Sequence, residues 1–203
     1  MKELHATLEI ELSLWAKGIQ TVAGVDEAGR GPLAGPVVAA AVVFPSGSFI
    51  KGVEDSKKLS EKKREELFPL IHDQALGVGV GVVGHDVIDR INILQATILA
   101  MHKALDDLLV KPEFVIVDGT TFRHDRYKYQ NIVDGDEKSF TIAAASIIAK
   151  VTRDRFMREY DLQYPAYGFG QHKGYGTKQH LEAIKRYGLC EIHRRTFDLH
   201  LGK

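Results

Sequence analysis

Apolar residues along this chain fall into two patterns, and each pattern predicts one kind of element. Short apolar runs bounded by glycine and proline predict β-strands over residues 21–26, 37–44, 76–83, 114–117 and 131–133. Apolar residues spaced by three or four positions predict helices over residues 8–15, 94–108, 139–160 and 178–187. Three strands come early and helices dominate late, which indicates an α/β fold with a central sheet.

Local signals refine these elements. Ser60 and Thr177 are expected N-caps, Ser60 for a charged helix and Thr177 for the last helix. Pro69 is expected to kink or end the helix that Ser60 starts. Glycine and valine alternate over residues 76–83, which is typical of a strand that another element approaches closely.

The length of 203 residues favours one domain, 1–203, with an N-terminal helical segment over 1–20 and a C-terminal helical part over 150–203. The longest apolar run, 37–44, is far shorter than the roughly 20 residues of a membrane helix. No apolar leader follows the N-terminus, so we expect a cytoplasmic protein without a membrane partner. The single cysteine, Cys190, excludes an intrachain disulfide and a multi-cysteine metal site.

Charge is unevenly distributed, although the chain has 27 basic and 27 acidic residues. Residues 150–203 hold 11 of the basic and 6 of the acidic residues, a net charge of +5. A basic end on an otherwise acidic chain fits a polyanionic partner such as nucleic acid. An ordinary solvated helical surface would carry the same charges.

Four acids follow or end the predicted strands. Asp26 and Glu27 close the first strand, Asp118 closes the fourth, and Asp136 follows a short strand and a glycine. Strand ends meet at one edge of an open sheet, where the acids would repel one another unless cations joined them. Carboxylate oxygens suit Mg²⁺ or Mn²⁺, and two such ions activate water in phosphodiester hydrolysis. Alternatively, each acid is a turn former or a helix cap.

Two glycines flank an arginine directly after these first acids. Gly29 and Gly31 allow a backbone that exposes peptide groups to a small polar target, and Arg30 can pair with phosphate or with a carboxylate. The bare pattern is common, and its position beside Asp26 and Glu27 is what makes it informative.

Several ordered blocks together resemble the signature of the type 2 ribonucleases H, specifically the bacterial ribonuclease HII family. The first block is Val25-Asp-Glu-Ala-Gly-Arg-Gly-Pro-Leu-Ala-Gly-Pro36. The others are Asp55-Ser-Lys-Lys-Leu-Ser60, Val117-Asp-Gly119, Gly135-Asp136, Ala144-Ala-Ser-Ile-Ile-Ala-Lys-Val-Thr-Arg-Asp154, Gln171-His-Lys-Gly-Tyr-Gly-Thr177 and His193-Arg-Arg-Thr-Phe197. They span nearly the whole chain.

The resemblance implies a fold, a reaction and a metal site. The fold would be ribonuclease H-like, a five-stranded mixed sheet flanked by helices. The enzyme would cleave the RNA strand of RNA–DNA hybrids and nick duplex DNA on the 5′ side of a single ribonucleotide, leaving 3′-hydroxyl and 5′-phosphate ends. Its catalytic acids and metal ligands would be Asp26, Glu27, Asp118 and Asp136, with two Mg²⁺ or Mn²⁺ ions.

The resemblance also implies which residues contact the substrate. The backbone of Gly29, Arg30 and Gly31 would recognise the ribose 2′-hydroxyl, which distinguishes RNA from DNA. Tyr175 would sense the junction to deoxyribose by stacking on that sugar. Family members are mostly monomers, and the sequence identifies no clamp or polymerase that would recruit this one.

Further basic residues are candidates for phosphate contacts. Lys57 and Lys58 precede a helix start, Lys150 and Arg153 share a helical stripe with Ser146, and His172 and Lys173 neighbour Tyr175. Solvated lysines and a plain exposed helix face are the alternatives. Asp154, Cys190 and His193 are expected to be structural, Asp154 through ion pairs with its neighbours Arg153 and Arg155.

Two other functions remain open at this point. A non-catalytic hybrid-binding protein would use the basic C-terminal part, although four converging acids disfavour a polyanion unless they hold metal. Another enzyme of the same fold, such as a DNA resolvase or a transposase core, would need acids but no recognition of a 2′-hydroxyl.

Overall fold

A five-stranded mixed sheet forms the centre of the molecule. A computed structural model describes residues 6–199, and the strand order in the sheet is β3-β2-β1-β4-β5. The antiparallel part contains β1 (Val22–Ala28), β2 (Val37–Val43) and β3 (Gly77–Val83). β4 (Phe114–Asp118) and β5 (Tyr129–Ile132) continue the sheet in parallel with β1. The expected mixed sheet is confirmed.

Helices cover both faces of this sheet. They are α1 (Glu9–Trp15), α2 (Glu61–Gln74), α3 (His85–Asp106), α4 (Gly135–Lys138), α5 (Phe140–Gln163), α6 (Phe169–His172) and α7 (Lys178–Tyr187). α3 packs on one face, while α5 and α2 pack on the other. Within residues 6–199, no helix combines the length and apolar character that crossing a bilayer requires.

The continuous apolar run of β2 reflects its central position. Ala39 and Ala41 pack towards α3, and Ala40 and Val42 pack towards α2 and α5. All seven residues of β2 are fully buried, because helices cover both sides of the strand. A strand of this kind lacks the polar alternation of a half-exposed strand.

Glycines bring two helices into backbone contact with the sheet. A Cβ added at Gly81 would lie 1.9 Å from the Ala100 carbonyl oxygen of α3. A Cβ added at Gly24 would lie 2.4 Å from the Thr141 carbonyl carbon at the start of α5. The expected close approach along β3 is confirmed, and the contact at Gly24 holds α5 against the strand that carries Asp26.

The N-terminal segment supports the start of α5. The Ser139 hydroxyl accepts the Ile142 N–H as an N-cap. Glu11 of α1 is fully buried, and its carboxylate accepts from the Ser139 hydroxyl at 2.6 Å and the Thr141 N–H at 2.9 Å. A carboxylate at a helix N-terminus satisfies free N–H groups and favours the helix dipole. The helical segment expected over residues 1–20 is present as α1, and residues 1–5 lie outside the described part.

Two helices differ from expectation. Pro69 does not end α2, which continues to Gln74, because the proline removes only one intrahelical hydrogen bond while Leu67 and Ile71 beside it are buried in the core. α3 starts at His85 rather than near residue 94. Asn92, at φ 66°, interrupts it, and its side chain accepts from the Gln95 N–H. The predicted helix is therefore the second of two segments joined at Asn92.

A third apolar cluster holds the C-terminal part together. Met157 of α5, Tyr167, Phe169, Ile184 of α7 and Ile192 pack into one core, with Tyr160 and Tyr164 at its edge. These aromatic and aliphatic side chains join α5 and α7 to the C-terminal loops.

We predict that Gly81→Ala lowers the free energy of unfolding, because its Cβ would overlap the α3 backbone. Overpacking of this kind costs roughly 1–3 kcal/mol. Denaturant unfolding followed by circular dichroism measures the change. Gly77→Ala in the same strand is the control, since its Cβ would make an ordinary 3.4 Å contact with Leu108. Equal stability of the two variants would contradict the close contact.

Candidate active site

Three aspartates meet at one edge of the sheet. Val25 of β1 pairs with Val117 of the parallel strand β4, so the next residues, Asp26 and Asp118, lie side by side. Asp136 of α4 completes the acid cluster, in which one carboxylate oxygen of each aspartate lies within 4.8 Å of the others. The predicted convergence of these three acids is found in the structure.

Glu27 lies beside the acid cluster rather than in it. Successive strand residues point to opposite sides, so Glu27 diverges from Asp26. Its carboxylate accepts from the Arg30 guanidinium at 3.2 Å. Glu27 nevertheless lines the same cleft as Asp26 and Asp118. The structure thus brings Asp26, Glu27 and Asp118 to one cleft, and Asp136 lies next to it in the acid cluster.

Local hydrogen bonds orient the acids. Asp118 accepts the Gly135 N–H at 2.7 Å, and Asp26 accepts the Glu27 N–H at 2.7 Å. Gly135 follows Asp134, whose φ of 53° turns the chain towards Asp118. A Cβ added at Gly135 would lie 2.8 Å from Ile142 Cδ1 and 3.3 Å from Asp118 Oδ1, so glycine leaves room for both side chains.

Burial makes this cluster hard to ionise. Burial raises the pKa of Asp26 well above its ordinary value, and the charges of Glu27, Asp118 and Asp136 add to the effect. Burial likewise raises the pKa of Glu27 and of Asp118, with Arg30 and the Gly135 N–H acting in the opposite direction. Such a set of carboxylates gains most from a divalent cation, because the ion offsets both desolvation and mutual repulsion.

Lys57 supplies one positive charge to the acids. Its ammonium lies 3.0 Å from Asp136 and 3.9 Å from Asp55. Burial lowers the pKa of Lys57, but the hydrogen bond and charge of Asp136 outweigh burial and leave the pKa above its ordinary value. Lys58 pairs with Glu137 at 2.9 Å. Both lysines therefore pair with acids of α4.

A cleft of about 240 Å³ extends from the acids towards the C-terminal part. Beyond the acids and Lys57, its lining consists of Gly29, Arg30, Gly31, Ser56, Ser146, Lys150 and Tyr175. Three of the predicted metal-binding carboxylates and the predicted substrate-contacting turn therefore share one cavity.

A buried arginine shapes the Gly-Arg-Gly turn, residues 29–31. The Arg194 guanidinium donates to the carbonyls of Gly29 at 2.6 Å, Arg30 at 2.9 Å and Gly35 at 3.0 Å. In a trans peptide the N–H points away from the carbonyl. The N–H groups of Arg30 and Gly31 therefore point away from Arg194, and both residues line the cleft.

The predicted phosphate contact of Arg153 is wrong. Arg153 is 1% exposed, and its guanidinium donates to the carbonyls of Pro36, Lys173 and Ala34 at 2.9–3.2 Å. The loop after the Gly-Arg-Gly turn covers this end of the stripe on α5. A Cβ at Gly29 would lie 2.0 Å from Arg153 Nε, so Arg153 occupies the space that glycine leaves.

The other members of the stripe reach the cleft. Lys150 pairs with Asp154 at 2.7 Å, and burial lowers the pKa of Lys150. Asp154 lies 3.8 Å from Arg64 of α2. The expected structural ion pair of Asp154 is therefore present, but its partners are Lys150 and Arg64. The sequence neighbours Arg153 and Arg155 do not pair with it, because residues one apart on a helix point in different directions. Ser146 forms a 2.6 Å hydrogen bond with Ser56.

His172 and Lys173 support the loop that carries Tyr175 and do not line the cleft. The His172 ring accepts the Gly174 N–H at 3.2 Å and donates to the Tyr167 carbonyl at 2.8 Å. Lys173 donates to the Gly170 carbonyl and lies 3.8 Å from Glu61. Both residues are 9% exposed and their side-chain hydrogen bonds are made within the protein, so the structure does not support their predicted contacts with nucleic acid.

Tyr175 does reach the cleft. Its side chain is 45% exposed, and its ring lies over the Gly-Arg-Gly turn. A Cβ added at Gly31 would lie 3.6 Å from Tyr175 Cε1. The predicted junction sensor and the predicted 2′-hydroxyl contact are therefore neighbours.

Sequence reasoning missed Asp55 and Arg194. Asp55 is buried beside Lys57, whose N–H it accepts at 2.9 Å, and burial raises its pKa. Asp55 and Arg194 both lie in blocks that carry the family resemblance, which was the available signal. Their roles depend on contacts across the chain that spacing does not reveal.

The sheet order and the acid cluster define a protein of the ribonuclease H-like fold. Residues 23–200 match the ribonuclease HII family, and the chain belongs to that family. It is 57% identical over 194 residues to a ribonuclease HII of Geobacter metallireducens, covering 92% of this chain and 91% of the relative. It is 54% identical over 199 residues to one of Acetivibrio thermocellus, covering 97% and 78%.

A solved structure agrees with this assignment. The ribonuclease H2 of Pyrococcus horikoshii matches with a TM-score of 0.75 and 31% identity, covering 88% of this chain and 94% of that one. The protein is therefore an enzyme, an endoribonuclease of the type 2 ribonuclease H class. The family implies a divalent metal ion and RNA–DNA hybrids as substrates, and the acid cluster fits such an ion.

We predict that Asp26→Asn stabilises the metal-free protein at neutral pH. A raised pKa in the folded state means that ionised Asp26 favours unfolding once the pH exceeds about 4, the ordinary aspartate value. The melting temperature of the variant should exceed that of the wild type at pH 8, and the gap should shrink as the pH falls towards 4.

Added Mg²⁺ or Mn²⁺ should narrow or reverse this gap, because the intact cluster binds the ion and gains stability. Asp73→Asn, at an exposed position of α2, is the control and should show neither effect. A lower melting temperature for metal-free Asp26→Asn at pH 8 would show that the cluster is not electrostatically strained.

Proposed function

We propose that this enzyme cleaves the RNA strand of RNA–DNA hybrids and nicks duplex DNA on the 5′ side of a single ribonucleotide. Its products would carry 3′-hydroxyl and 5′-phosphate ends. The observation that carries the proposal is one cleft in which the acid cluster, the N–H groups of the Gly-Arg-Gly turn and the Tyr175 ring lie together.

Asp26, Asp118 and Asp136 would hold the divalent ions, with Glu27 as the adjoining ligand. We propose two ions, Mg²⁺ or Mn²⁺. When bound, such ions activate a water molecule and stabilise the leaving oxygen of a phosphodiester. The raised pKa values of Asp26, Glu27 and Asp118 support this assignment, since these carboxylates lack enough cationic partners among the described residues.

The Gly-Arg-Gly turn would select the ribonucleotide. The N–H groups of Arg30 and Gly31 face the cleft, because Arg194 holds the carbonyls of Gly29 and Arg30 on the other side. A 2′-hydroxyl accepts such donors, whereas deoxyribose offers no group there. The site would therefore bind RNA at one position and leave all-DNA duplexes uncut.

Tyr175 would select the nucleotide that follows. Its half-exposed ring lies over Gly31, so the sugar next to the selected ribose would meet its face. An aromatic ring packs well on deoxyribose, whereas a 2′-hydroxyl on that sugar would clash with the ring or be misplaced. This contact favours the RNA-to-DNA junction.

Exposed basic groups around the cleft would contact phosphates. Arg30 and Lys57 keep 49% and 76% of their side chains exposed, and Lys58 keeps 41%. Lys150 lines the cleft directly. Phosphate contacts of this kind orient the duplex without adding sequence preference. We further propose that the enzyme acts as a monomer in the cytoplasm.

A gel cleavage assay tests this function. The substrates are a duplex with one embedded ribonucleotide, the matched all-DNA duplex and an RNA–DNA hybrid, each with Mg²⁺, with Mn²⁺ and with chelator. We expect metal-dependent nicking 5′ to the ribonucleotide and an intact all-DNA duplex. Tight hybrid binding without any cleavage would instead favour the non-catalytic binding protein, and cleavage of all-DNA duplex would favour a resolvase-type enzyme.

We predict that Asp118→Asn abolishes cleavage while hybrid binding remains largely intact. The substitution removes a charge from the acid cluster but keeps an oxygen that accepts the Gly135 N–H. Single-turnover cleavage and a binding titration measure the two effects. Asp73→Asn serves as the charge-matched control. Cleavage by Asp118→Asn at near wild-type rate would remove Asp118 from the site.

We predict that Tyr175→Ala slows nicking at a single ribonucleotide more than it slows cleavage of a continuous hybrid. The reason is that only the first substrate always presents deoxyribose to the ring. The ratio of the two rates measures the effect. Tyr187→Ala removes a similarly exposed tyrosine from the end of α7 and should leave the ratio unchanged. Equal losses on both substrates would refute this role of Tyr175.

A further inference from the structure

Three buried histidines lie at the tyrosine loop, residues 172–177: His172 begins the loop, and His180 and His193 lie beneath it. His180 and His193 are fully buried, and His172 is nearly so. The rings of His172 and His180 stack with their centroids 4.5 Å apart. None of the three lines the cleft, so the proposed chemistry gives them no direct role.

The contact between His180 and the Tyr175 carbonyl determines which nitrogen of His180 carries the proton. The Tyr175 carbonyl lies 2.9 Å from His180 Nδ1. A carbonyl oxygen can only accept, so His180 Nδ1 carries the hydrogen and donates it. In a neutral imidazole the other nitrogen, Nε2, then has a free lone pair and must accept.

The Cys190 end fixes a second proton independently. The Cys190 backbone N–H donates to His193 Nδ1 at 2.9 Å. The Cys190 thiol and carbonyl lie farther from the same nitrogen, at 3.1 Å and 3.3 Å. Because the shortest contact is to an N–H donor, His193 Nδ1 carries no hydrogen and its proton lies on Nε2. His193 Nε2 is 3.1 Å from His180 Nε2, so its N–H donates to the lone pair of His180 Nε2. Both ends give the same arrangement, with both rings neutral.

The three hydrogen bonds of this arrangement are all donated in the same direction. Hydrogen bonds run from the Cys190 N–H through His193 and His180 to the Tyr175 carbonyl, and we call this chain the histidine relay. A second proton on His180 would set two N–H groups against each other across the 3.1 Å contact. A second proton on His193 would set its Nδ1–H against the Cys190 N–H. Burial lowers the pKa of both His180 and His193 to about 4, in agreement with neutral rings.

The relay acts on a loop with little freedom elsewhere. The Tyr175 N–H donates to the His172 carbonyl at 3.0 Å. Lys173 and Gly174 have positive φ angles of 52° and 83°, and a Cβ at Gly174 would lie 2.6 Å from the Ala34 carbonyl. The Tyr175 carbonyl accepts from the Thr177 N–H at 2.8 Å and from His180 Nδ1 at 2.9 Å, and the second of these bonds joins the relay to the backbone that carries the ring.

We propose that His180 and His193 are positioning residues that hold the Tyr175 ring at its place over Gly31. They thereby set the preference for deoxyribose after the ribonucleotide. The proposal rests on the proposed function of Tyr175. Core packing alone would be the competing explanation, since Tyr167 and Phe169 surround the same histidines.

Side-chain nitrogen NMR of the wild-type enzyme tests the relay without any substrate. We expect His180 to carry its proton on Nδ1, and His193 and His172 to carry theirs on Nε2. His172 is included because its Nδ1 accepts the Gly174 N–H. A packing role would not require this order of tautomers. A proton on Nε2 of His180 would overturn the relay.

Substitutions at His193 test its effect on the substrate. His193→Phe keeps a ring of similar size but removes the donor to His180. We expect the rate ratio, single ribonucleotide over continuous hybrid, to fall about tenfold, because small displacements of positioning groups cost up to 10²-fold in rate. His193→Gln keeps an N–H donor and should restore most of the ratio. His193→Met replaces the phenylalanine variant if that variant does not fold.

Ile184→Val is the matched control. It weakens the apolar cluster that contains Tyr167 and Phe169 and leaves the histidine relay unchanged. It should lower stability and leave the ratio unchanged. An unchanged ratio in His193→Phe, where Tyr175→Ala does change it, would overturn the positioning role. If Tyr175→Ala itself leaves the ratio unchanged, the proposed function of Tyr175 has failed, and the tautomer measurement still decides whether the relay exists.

Discussion

Six hydrogen bonds from two buried guanidiniums determine the shape of the cleft. Arg153 and Arg194 donate to backbone carbonyls of residues 29–36 and of Lys173, and neither forms an ion pair with a carboxylate among the described residues. Burial lowers their pKa values to about 10 and about 9, which leaves both charged at neutral pH. Carbonyl oxygens therefore compensate the two buried positive charges. Movement of the loops would leave these charges without hydrogen-bond partners.

The two ends of the cleft consequently differ in charge. At one end Asp26, Asp118 and Asp136 are too close together to ionise easily, which favours a divalent cation. At the other end the Gly-Arg-Gly turn lies above two cationic side chains and directs N–H groups into the cleft. A phosphodiester with an adjacent 2′-hydroxyl is complementary to both ends, since its charge suits the metal and its hydroxyl suits the N–H donors.

The acids could be predicted from the sequence because strand ends converge by the geometry of the sheet, which needs only the local pattern. Arg153 could not be placed, because Ser146, Lys150 and Arg153 share one stripe of α5. Only the returning loop at Ala34 and Pro36 distinguishes the covered end from the open one. His172 and Lys173 were misplaced for the same reason, since a glycine-rich loop does not show which side chains turn inward. The end of a helix was also hard to predict where packing outweighs a residue that often ends helices. Pro69 lies inside α2 because Leu67 and Ile71 beside it are buried in the core.

Different buried polar side chains hold the Gly-Arg-Gly turn and the backbone at Tyr175. Arginine carries only donors, so Arg194 fixes the carbonyls of the Gly-Arg-Gly turn and thereby the direction of its N–H groups. A neutral histidine carries one donor and one acceptor, so His180 and His193 transmit a direction to Tyr175. Arg153 bonds to both parts, through Ala34 and Pro36 on one side and Lys173 on the other. The proposed contacts to ribose and to the next sugar would therefore depend on separate side chains, while Arg153 joins the two parts of the backbone that carry them.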